Sequence, residues 1–434
     1  FDLGPNGFMA GAPDTLALVN ALGVEGQLLP ASAAAQRRYL YVRGGLELLP
    51  SSPPAALKSR LLSAGGKARA LLEVMRRPQR PASDARAAGG SGAAERIDEL
   101  DETVHAFMAR HFGREAADLL GPALVTGVTA GDARQLSLDA VFPRLRALER
   151  QHGSLLRGMA AAGRAARAAQ AGAGANRLTS FPGGMLTLTN ALAHALSGAL
   201  TTASEVIALE PDAQGFHIRT VHGQRISARQ VVLAAPAYAS STLLAPFAVD
   251  AAKHVANIPY AAVGVFGLTY PRAAVPDALD GFGFLAAPGQ AVRLLGVQYT
   301  STLFPDQVPA GTVSLRVICG GTLDPGFLAL SDEEALASVR KDLSTILHIE
   351  EEPVNVSYAR WPRGIPQYHL GHGATVRSAR RDLARWPGLH LAGNGYDGVA
   401  VNDCVRNARR LASELQAAAE SGTTSRPGAT VATP

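Results

Sequence analysis

One stretch near the end of the chain, residues 389–404, constrains the fold more than any other. It reads LHLAGNGYDGVAVNDC, a short apolar run that suits a buried strand, followed by Gly393, Gly395 and Gly398 and by a helix start at Asn402 and Asp403. A strand that ends in a glycine turn and leads into a helix brings unpaired backbone N–H groups and a positive helix end to one point. This arrangement suits an anionic or electron-rich ligand. An ordinary tight turn between strand and helix would have the same spacing.

The composition predicts a folded protein of two or three domains, because 434 residues are too many for one hydrophobic core. Apolar residues make up 47% and charged residues 18%, and no apolar run is long enough to predict a transmembrane helix. Two cysteines, Cys319 and Cys404, are too few for a disulfide framework and indicate a reducing compartment.

The net charge of +5 bears on the binding partners of the protein rather than on its fold. The arginines of the chain cluster on Ala-rich helical stretches without interleaved aromatic residues, so we expect no nucleic-acid partner. An anionic small molecule or an anionic membrane surface fits the charge better.

The character of the sequence changes along the chain. Residues 36–49 predict a β-hairpin, residues 51–81 predict two basic amphipathic helices, and residues 82–96 predict a flexible insertion rich in Ala, Gly and Ser. From residue 180 onward, strands and helices mix.

Local signals predict where helices begin and which polar residues they carry. Asp101 is expected to cap the helix that contains His111, and Ser331 with Glu334 predicts a capping box. We expect His111 to be packed or exposed rather than to bind a metal, and no cluster of His, Asp, Glu or Cys has the spacing of a metal site.

The residues alone predict no catalytic constellation. There is no nucleophile elbow, and the sequence places no Cys–His pair or carboxylate pair convincingly. A chain of this length without acid–base motifs favours a bound cofactor as the carrier of the chemistry.

A resemblance to a known family rests on motifs that follow one another along nearly the whole chain. They are GPN at 4–6, RRY at 37–39, TAGD at 129–132, FPGG at 181–184, LDGFGFL at 279–285, FPD at 304–306, RWPRGIPQY at 360–368 and AGNGYDGVAVNDC at 392–404. In these motifs the chain resembles the FAD-dependent protoporphyrinogen oxidases of the amine-oxidase-like flavoprotein superfamily. It departs from them at Thr129, where the family commonly has tyrosine.

The resemblance implies an α/β fold with three parts. The first is a Rossmann-like FAD-binding domain of the p-hydroxybenzoate-hydroxylase type, from residues 1–35, 177–250 and 385–434. The second is a mixed-sheet substrate-binding domain, from residues 36–50 and 251–384. The third is a helical, membrane-associated domain from residues 51–176. The family begins with a βαβ unit that carries a phosphate-binding Gly-x-Gly-x-x-Gly turn, and we expect that N-terminal unit to be absent from these residues.

The resemblance also assigns site residues. Those implied to contact FAD are Gly4, Pro5, Asn6, Gly7, Val206, Trp361, Gly393, Asn394, Gly398, Val399, Ala400 and Val401. Those implied to contact substrate are Arg38, Gly131, Val263, Leu279 and Tyr299. Arg38 would pair with a propionate, although a surface charge or an internal ion pair is an alternative, and Trp361 would also suit a core position.

The implied function is the oxidation of protoporphyrinogen IX to protoporphyrin IX by FAD and O2, with three hydrides removed in succession. A coproporphyrinogen III oxidase of the same fold is one alternative, and a non-catalytic remnant that cannot hold FAD is another. We expect a cytoplasmic protein with peripheral contact to an anionic membrane. A homodimer and a monomer both remain compatible with the sequence.

Overall fold

The computed structural model describes residues 1–76, 101–168 and 177–420. The chain forms two compact units. The first unit contains residues 1–12, 23–190 and 260–370, and the second contains residues 13–22, 191–259 and 371–434. The division into three domains stays a prediction, and the predicted insertion at 82–96 lies outside the described residues.

Helices occupy much of the described chain. Their bounds are Pro13–Ala21, Pro53–Lys58, Ala64–Leu71, Val104–Phe112, Arg114–Thr129, Leu138–Val141, Pro143–His152, Leu155–Ala168, Leu186–Ala195, Ala237–Leu244, Val249–Ala256, Thr300–Leu303, Asp332–Leu347, His372–Leu383 and Val401–Glu420. Short 3-10 turns lie at Glu25–Gln27, Ala33–Gln36, Leu72–Met75, Arg272–Ala274, Pro305–Gln307 and Pro325–Ala329. Within the three described ranges, no helix has both the length and the hydropathy needed to cross a membrane.

Fifteen strands are described, numbered here in chain order. They are β1 Phe8–Met9, β2 Leu29–Pro30, β3 Tyr39–Val42, β4 Gly45–Leu48, β5 Leu178–Ser180, β6 Val206–Pro211, β7 Phe216–Thr220, β8 Arg225–Ala228, β9 Val231–Leu233, β10 Tyr260–Pro271, β11 Gly283–Ala286, β12 Leu294–Tyr299, β13 Thr312–Gly320, β14 Asn355–Pro366 and β15 Leu389–Leu391. The first unit holds a seven-stranded sheet in the order β14-β10-β13-β12-β11-β3-β4 and a small β1-β5-β2 sheet. The second unit holds the antiparallel β6-β7-β8 sheet and the parallel pair β15-β9.

The two faces of the seven-stranded sheet have different neighbours, because side chains alternate along each strand. On one face, Phe266, Leu315 and Val317 pack in the main hydrophobic core together with Val339 and Leu343 of the helix Asp332–Leu347. We call this the helix face. The opposite face carries Val263, Val265, Gln298, Arg316, Ile318 and Trp361, as the strand register shows. We call it the turn face. Cys319 is fully buried on the helix face.

Several local predictions are confirmed. The hairpin forms from β3 and β4, with positive φ angles at Arg43 and Gly44 in its two-residue turn. Ser331 and Glu334 form the capping box on the helix Asp332–Leu347. The prediction for Asp101 is wrong, because the cap is Thr103, whose hydroxyl accepts a hydrogen bond from the Ala106 N–H at 3.0 Å.

A buried ionic cluster connects the helices of the first unit around His111. The imidazole lies between two carboxylates, with Nδ1 2.9 Å from Glu73 Oε1 and Nε2 3.0 Å from Glu149 Oε1. Arg110 and Arg146 pair with the same group of acids, which also includes Glu102 and Asp139. His111 is therefore packed, as expected, and hydrogen bonds to two carboxylates hold it in addition to apolar contacts.

Candidate functional site

The predicted flavin-contacting turn at Gly4 to Gly7 lies in the first unit, beside the turn face of the sheet. A side chain at Gly7 would clash with the Thr179 carbonyl oxygen, 2.7 Å from the position of a Cβ atom. Gly4 has no protein atom within 4 Å of that position, so the backbone there is open to the approach of a flat ring. Just before the turn, the Asp2 carboxylate accepts a hydrogen bond from the Met185 N–H at 3.0 Å.

Side chains from two strands of the turn face, β13 and β14, hold this segment. Trp361 Nε1 donates to the Leu3 carbonyl oxygen at 3.0 Å. Arg316 donates from Nε to the Asp2 carbonyl oxygen at 2.9 Å and from Nη2 to the Gly4 carbonyl oxygen at 2.6 Å. Trp361 is 45% exposed, so its ring is not a core aromatic and remains available to a ligand.

Arg316, which was not among the predicted site residues, is buried and central to this arrangement. Burial lowers the pKa of its guanidinium to about 10. A signal existed in the sequence, because Arg316 is the one charged residue in the apolar strand TVSLRVICG. A lone charge in the middle of a central strand indicates either a buried polar network or a ligand site.

Gly131 lies in a buried turn after the helix Arg114–Thr129. Its amide donates to Thr129 Oγ1 at 3.2 Å. A side chain at Gly131 would overlap Gln367 Oε1 and come within 2.8 Å of Leu136 Cδ1. The packing of the protein itself therefore requires glycine here.

Gln367 is a second residue that the sequence analysis missed, although it stands in the IPQY motif. Its side chain is almost fully buried, and its Nε2 donates to the carbonyl oxygens of Thr129 and Ile365 at 2.8 and 3.0 Å. Its Oε1 has no hydrogen-bond partner among the described residues. The amide thus connects the TAGD turn to the end of β14.

The structure does not bring the five predicted substrate residues onto one surface. Val263 lies on the turn face, in the small cluster that includes Ala130, the neighbour of Gly131. Leu279 and Tyr299 belong instead to the core on the helix face. Leu279 and Tyr299 are therefore separated from Val263 by the sheet.

Tyr299 borders a cavity of about 350 Å³ whose wall includes Tyr39, Asp280 and His348. The Tyr39 hydroxyl donates to Asp280 Oδ1 at 2.7 Å, and Arg37 forms an ion pair with the same carboxylate. Burial, together with nearby Tyr39 and two aspartates, raises the pKa of the Tyr299 hydroxyl. Acidic and phenolic groups line this cavity, so it is poorly suited to an anionic substrate.

Arg38 is the predicted substrate residue that is most clearly available. Its exposed guanidinium stacks over the Phe282 ring at 4.9 Å. Among the described residues it has no carboxylate partner, in contrast to its neighbour Arg37. The alternative of an internal ion pair for Arg38 is therefore not seen in the part of the chain that the structure describes.

The remaining predicted cofactor residues lie in the second unit. The strand β15 is followed by Gly393, with a φ angle of +103°, and by Asn394 in a turn. Gly398 has a φ angle of +135°, and a side chain there would come within 2.5 Å of Asp403 Cβ. Residues 399–400 then lead into the helix Val401–Glu420, which confirms the predicted order of strand, glycine turn and helix.

Contacts inside the second unit fix this turn from both sides. Arg380 pairs with Asp397, and the Thr15 hydroxyl donates to Asn402 Oδ1 at 2.7 Å. Val206 begins β6 in the same unit, and its side chain is partly exposed. Glycine at 393 and 398 is thus required by backbone conformation, and the helix start presents N–H groups beside the turn.

Comparison with known proteins identifies the family. Residues 1–416 match the family described as flavin containing amine oxidoreductase. The chain belongs to this family. Its members bind a flavin, and the glycine turns and the exposed Trp361 ring are suitable for holding one. No group of three or more His, Cys, Asp or Glu within residues 1–76, 101–168 and 177–420 could hold a metal ion.

Individual members of the family that resemble this chain are porphyrinogen oxidases. The protoporphyrinogen oxidase of Bos taurus is 35% identical over 96% of this chain and 87% of its own length. The chloroplastic protoporphyrinogen oxidase of Nicotiana tabacum is 30% identical over 95% of this chain and 76% of its own length. A coproporphyrinogen III oxidase of Bacillus subtilis is 26% identical over 95% of this chain and 85% of its own length.

Solved structures support the mixed α/β fold of flavin amine oxidases. A putative protoporphyrinogen oxidase from Exiguobacterium sp. 255-15 superposes with a TM-score of 0.75 at 22% identity, over 95% of this chain and 87% of that one. Reduced UDP-galactopyranose mutase superposes with a TM-score of 0.68 at 17% identity, over 99% of this chain and 86% of that one. At these identities the likeness concerns the fold alone.

Proposed function

We propose that this chain is an FAD-dependent oxidase that converts protoporphyrinogen IX to protoporphyrin IX. In the balanced reaction the substrate loses six electrons and six protons while three O2 become three H2O2. The observation that carries the proposal is the 35% identity to a protoporphyrinogen oxidase over 96% of the chain. The flavin, when bound, supplies the hydride acceptor that no side chain of this protein could replace.

The protein's own residues would bind and orient. The turn at Gly4 to Gly7, with the Trp361 ring beside it, would accept a flat ring against open backbone. In the second unit, the N–H groups at the start of the helix Val401–Glu420 would stabilise negative charge on a ligand. Positioning and electrostatics are the usual contributions of a protein whose cofactor performs the chemistry.

Arg38 supports an anionic, partly apolar substrate. A porphyrinogen is a large apolar ring with carboxylate arms, so its recognition requires apolar surface together with a cation. The Arg38 guanidinium stacks on an aromatic ring and has no acidic partner among the described residues, so a carboxylate could reach it without breaking an existing pair.

A coproporphyrinogen III oxidase is the second candidate, since one such enzyme is 26% identical to this chain. Its substrate carries four propionates, and its recognition would favour additional cations near Arg38. The neighbouring Arg37 is already paired with Asp280, which favours the dicarboxylate substrate.

The test is to supply the purified protein with FAD and to measure porphyrin fluorescence after adding each porphyrinogen under air. We expect retained FAD and faster porphyrin formation from protoporphyrinogen than from coproporphyrinogen, above the rate without protein. A reversed preference would favour the second candidate. Protein that retains no FAD, or porphyrin formation at the protein-free rate with both substrates, would contradict the proposal.

We further propose that the protein is cytoplasmic and that its helical region touches an anionic membrane surface. Leu71, Leu72 and Met75 are exposed beside the exposed Arg69, a combination that suits an interfacial site. Co-sedimentation with anionic vesicles tests this contact, and Met75→Glu should weaken it. The proposal would be contradicted if the wild type bound neutral and anionic vesicles equally well, or if Met75→Glu bound anionic vesicles as well as the wild type. The homodimer stays a prediction.

A further inference from the structure

Three successive carbonyl groups of the N-terminal segment are held by side chains of the turn face. The carbonyl oxygens of Asp2 and Gly4 accept from Arg316, and that of Leu3 accepts from Trp361. Backbone carbonyl groups in a segment without regular structure need such partners, because a buried acceptor without one is costly. The segment before the flavin-facing turn is therefore fixed by β13 and β14.

A third strand joins through Gln298 of β12. Its Oε1 accepts from both Asn6 Nδ2 and Arg316 Nη1, each at 2.9 Å. Gln298 and Arg316 face each other across the β12–β13 ladder. One guanidinium thus connects the residues before the turn, the turn itself at Gly4 and, through Gln298, the side chain of Asn6.

Among the described residues, no carboxylate contacts the Arg316 guanidinium. Its three acceptors are neutral, and the nearby Asp2 carboxylate accepts from the Met185 N–H instead. Arg316 is only 9% exposed, so its charge has lost most of its contact with water. Burying such a charge is unfavourable unless its hydrogen bonds compensate, and the planar fork of arginine can make three in fixed directions.

We infer that Arg316 is a positioning residue for the flavin. It fixes the Gly4 to Gly7 turn against the sheet, so that the open backbone at Gly4 is held in one orientation toward the cofactor. The inference rests on the proposed function, because it takes this turn as the flavin-facing one. The role depends on the geometry of the guanidinium fork rather than on charge alone.

The experiment compares FAD binding by the wild type, Arg316→Met and Arg316→Lys. We expect each variant to raise the Kd for FAD at least tenfold and to shift the visible absorption bands of the bound flavin. Lysine should fail to restore the wild-type values, since a single ammonium cannot reach Asp2, Gly4 and Gln298 in the same geometry. Full restoration by lysine would overturn the positioning role.

Arg293→Met is the matched control. Arg293 lies in the same unit, pairs with Asp324 and stacks on Phe327, and it has no hydrogen bond to residues 1–7. We expect this variant to lower the melting temperature without changing the Kd or the spectrum. If Arg316→Met behaves in the same way, the residue is only structural and the inference is wrong.

Gln298→Leu provides a milder variant in case Arg316→Met does not fold. It removes one acceptor of Arg316 and the partner of Asn6, and it should raise the Kd for FAD about threefold. An unchanged Kd in this variant would also overturn the inference. Wild-type protein that binds no FAD would instead overturn the proposed function, so the two failures are distinguishable.

Discussion

Arginines are buried in two regions of the first unit. In one region carboxylates compensate the charge, and in the other the hydrogen-bond partners are neutral. Arg146 shares the cluster around His111 with several carboxylates. Burial alone would lower the pKa of Arg146, but its hydrogen bonds and attraction to Asp139 and Glu102 outweigh burial and raise it. Within the described ranges, the hydrogen-bond acceptors of Arg316 are all neutral, and burial lowers its pKa to about 10.

The difference distinguishes a region that is compensated within the protein from one that we infer to serve a ligand. In the cluster, each charge is compensated by another within the protein, so the helices are held together without any ligand. On the turn face, a desolvated cation is kept beside a backbone that is open to a ligand. An arrangement that is unfavourable by itself, but that holds one segment in place, is typical of sites where stability is reduced in favour of function.

The largest loss of stability is expected from a substitution at Arg146. Arg146→Leu should lower the free energy of unfolding by about 3–5 kcal/mol, because buried carboxylates of the cluster lose their partner. Urea unfolding measures this loss. The exposed pair of Arg134 with Asp118 provides the control, since Arg134→Leu should cost less than about 1 kcal/mol. Similar losses in both variants would show that burial of the cluster has little energetic effect.

In the glycine turn of the second unit, stability depends on backbone conformation rather than on charge. Gly398→Val should cost about 1–3 kcal/mol, because valine is disfavoured at a φ angle of +135° and its side chain would meet Asp403. We also expect loss of flavin from this variant. Thermal unfolding and the flavin absorbance of the purified protein measure the two effects, and a stable yellow variant would contradict both.

Acid should weaken the cluster around His111. Burial opposes ionisation of Glu149, but its hydrogen bonds to His111 and Arg110 are stronger and hold its pKa well below the usual range. Its contribution to stability is therefore present above the unfolded-state pKa of about 4.3 and is lost as the pH falls below it.

The matching measurement is hydrogen exchange between pH 7 and pH 3. The amides of the helix that contains His111 should lose protection by about 1–2 kcal/mol as the pH falls. In the Glu149→Gln variant, the same amides should already be less protected at pH 7, and their protection should change less on acidification. An equal acid response in β13 would argue against a local cause.

The smallest effect on folding is expected at Arg38, which is exposed. Arg38→Ala should change the free energy of unfolding by less than about 0.5 kcal/mol. It should raise KM for the porphyrinogen about 10- to 100-fold, which corresponds to the loss of a charge-assisted contact of roughly 1.5–3 kcal/mol. Steady-state kinetics measure the change, with Arg37→Ala as the neighbouring control, and unchanged KM would remove Arg38 from the substrate site.

Local signals in the sequence predict local structure well here. The hairpin at 36–49, the capping box at Ser331 and the strand–turn–helix order at 389–404 each depend on residues close together in the chain. The Asp101 prediction was wrong because two candidate caps lie two residues apart: Thr103 caps the helix, and the Asp101 carboxylate instead accepts a hydrogen bond from Ser137 Oγ at 2.8 Å.

The candidate site was predictable only in part, because its geometry depends on which face of a sheet a side chain occupies. The resemblance implies the same role for Tyr299 and Val263, yet the pairing of Tyr299 with Leu315 and of Val263 with Gly320 directs them to opposite faces. Arg316 was not predicted for a different reason. The backbone carbonyls that it contacts lie about 310 residues away in the chain, and no local pattern shows them.

The burial of Cys319 has a consequence for the lifetime of the enzyme. An oxidase that reduces O2 releases hydrogen peroxide close to its own thiols, and the thiolate is the form that peroxide attacks. Burial raises the pKa of Cys319, as it does that of Cys404, so both thiols stay protonated. We expect both to remain unoxidised over many turnovers, as mass spectrometry of the used enzyme would show, and sulfinic or sulfonic acid at Cys319 would contradict this. We therefore expect burial of the thiol to slow inactivation of the enzyme by its own product.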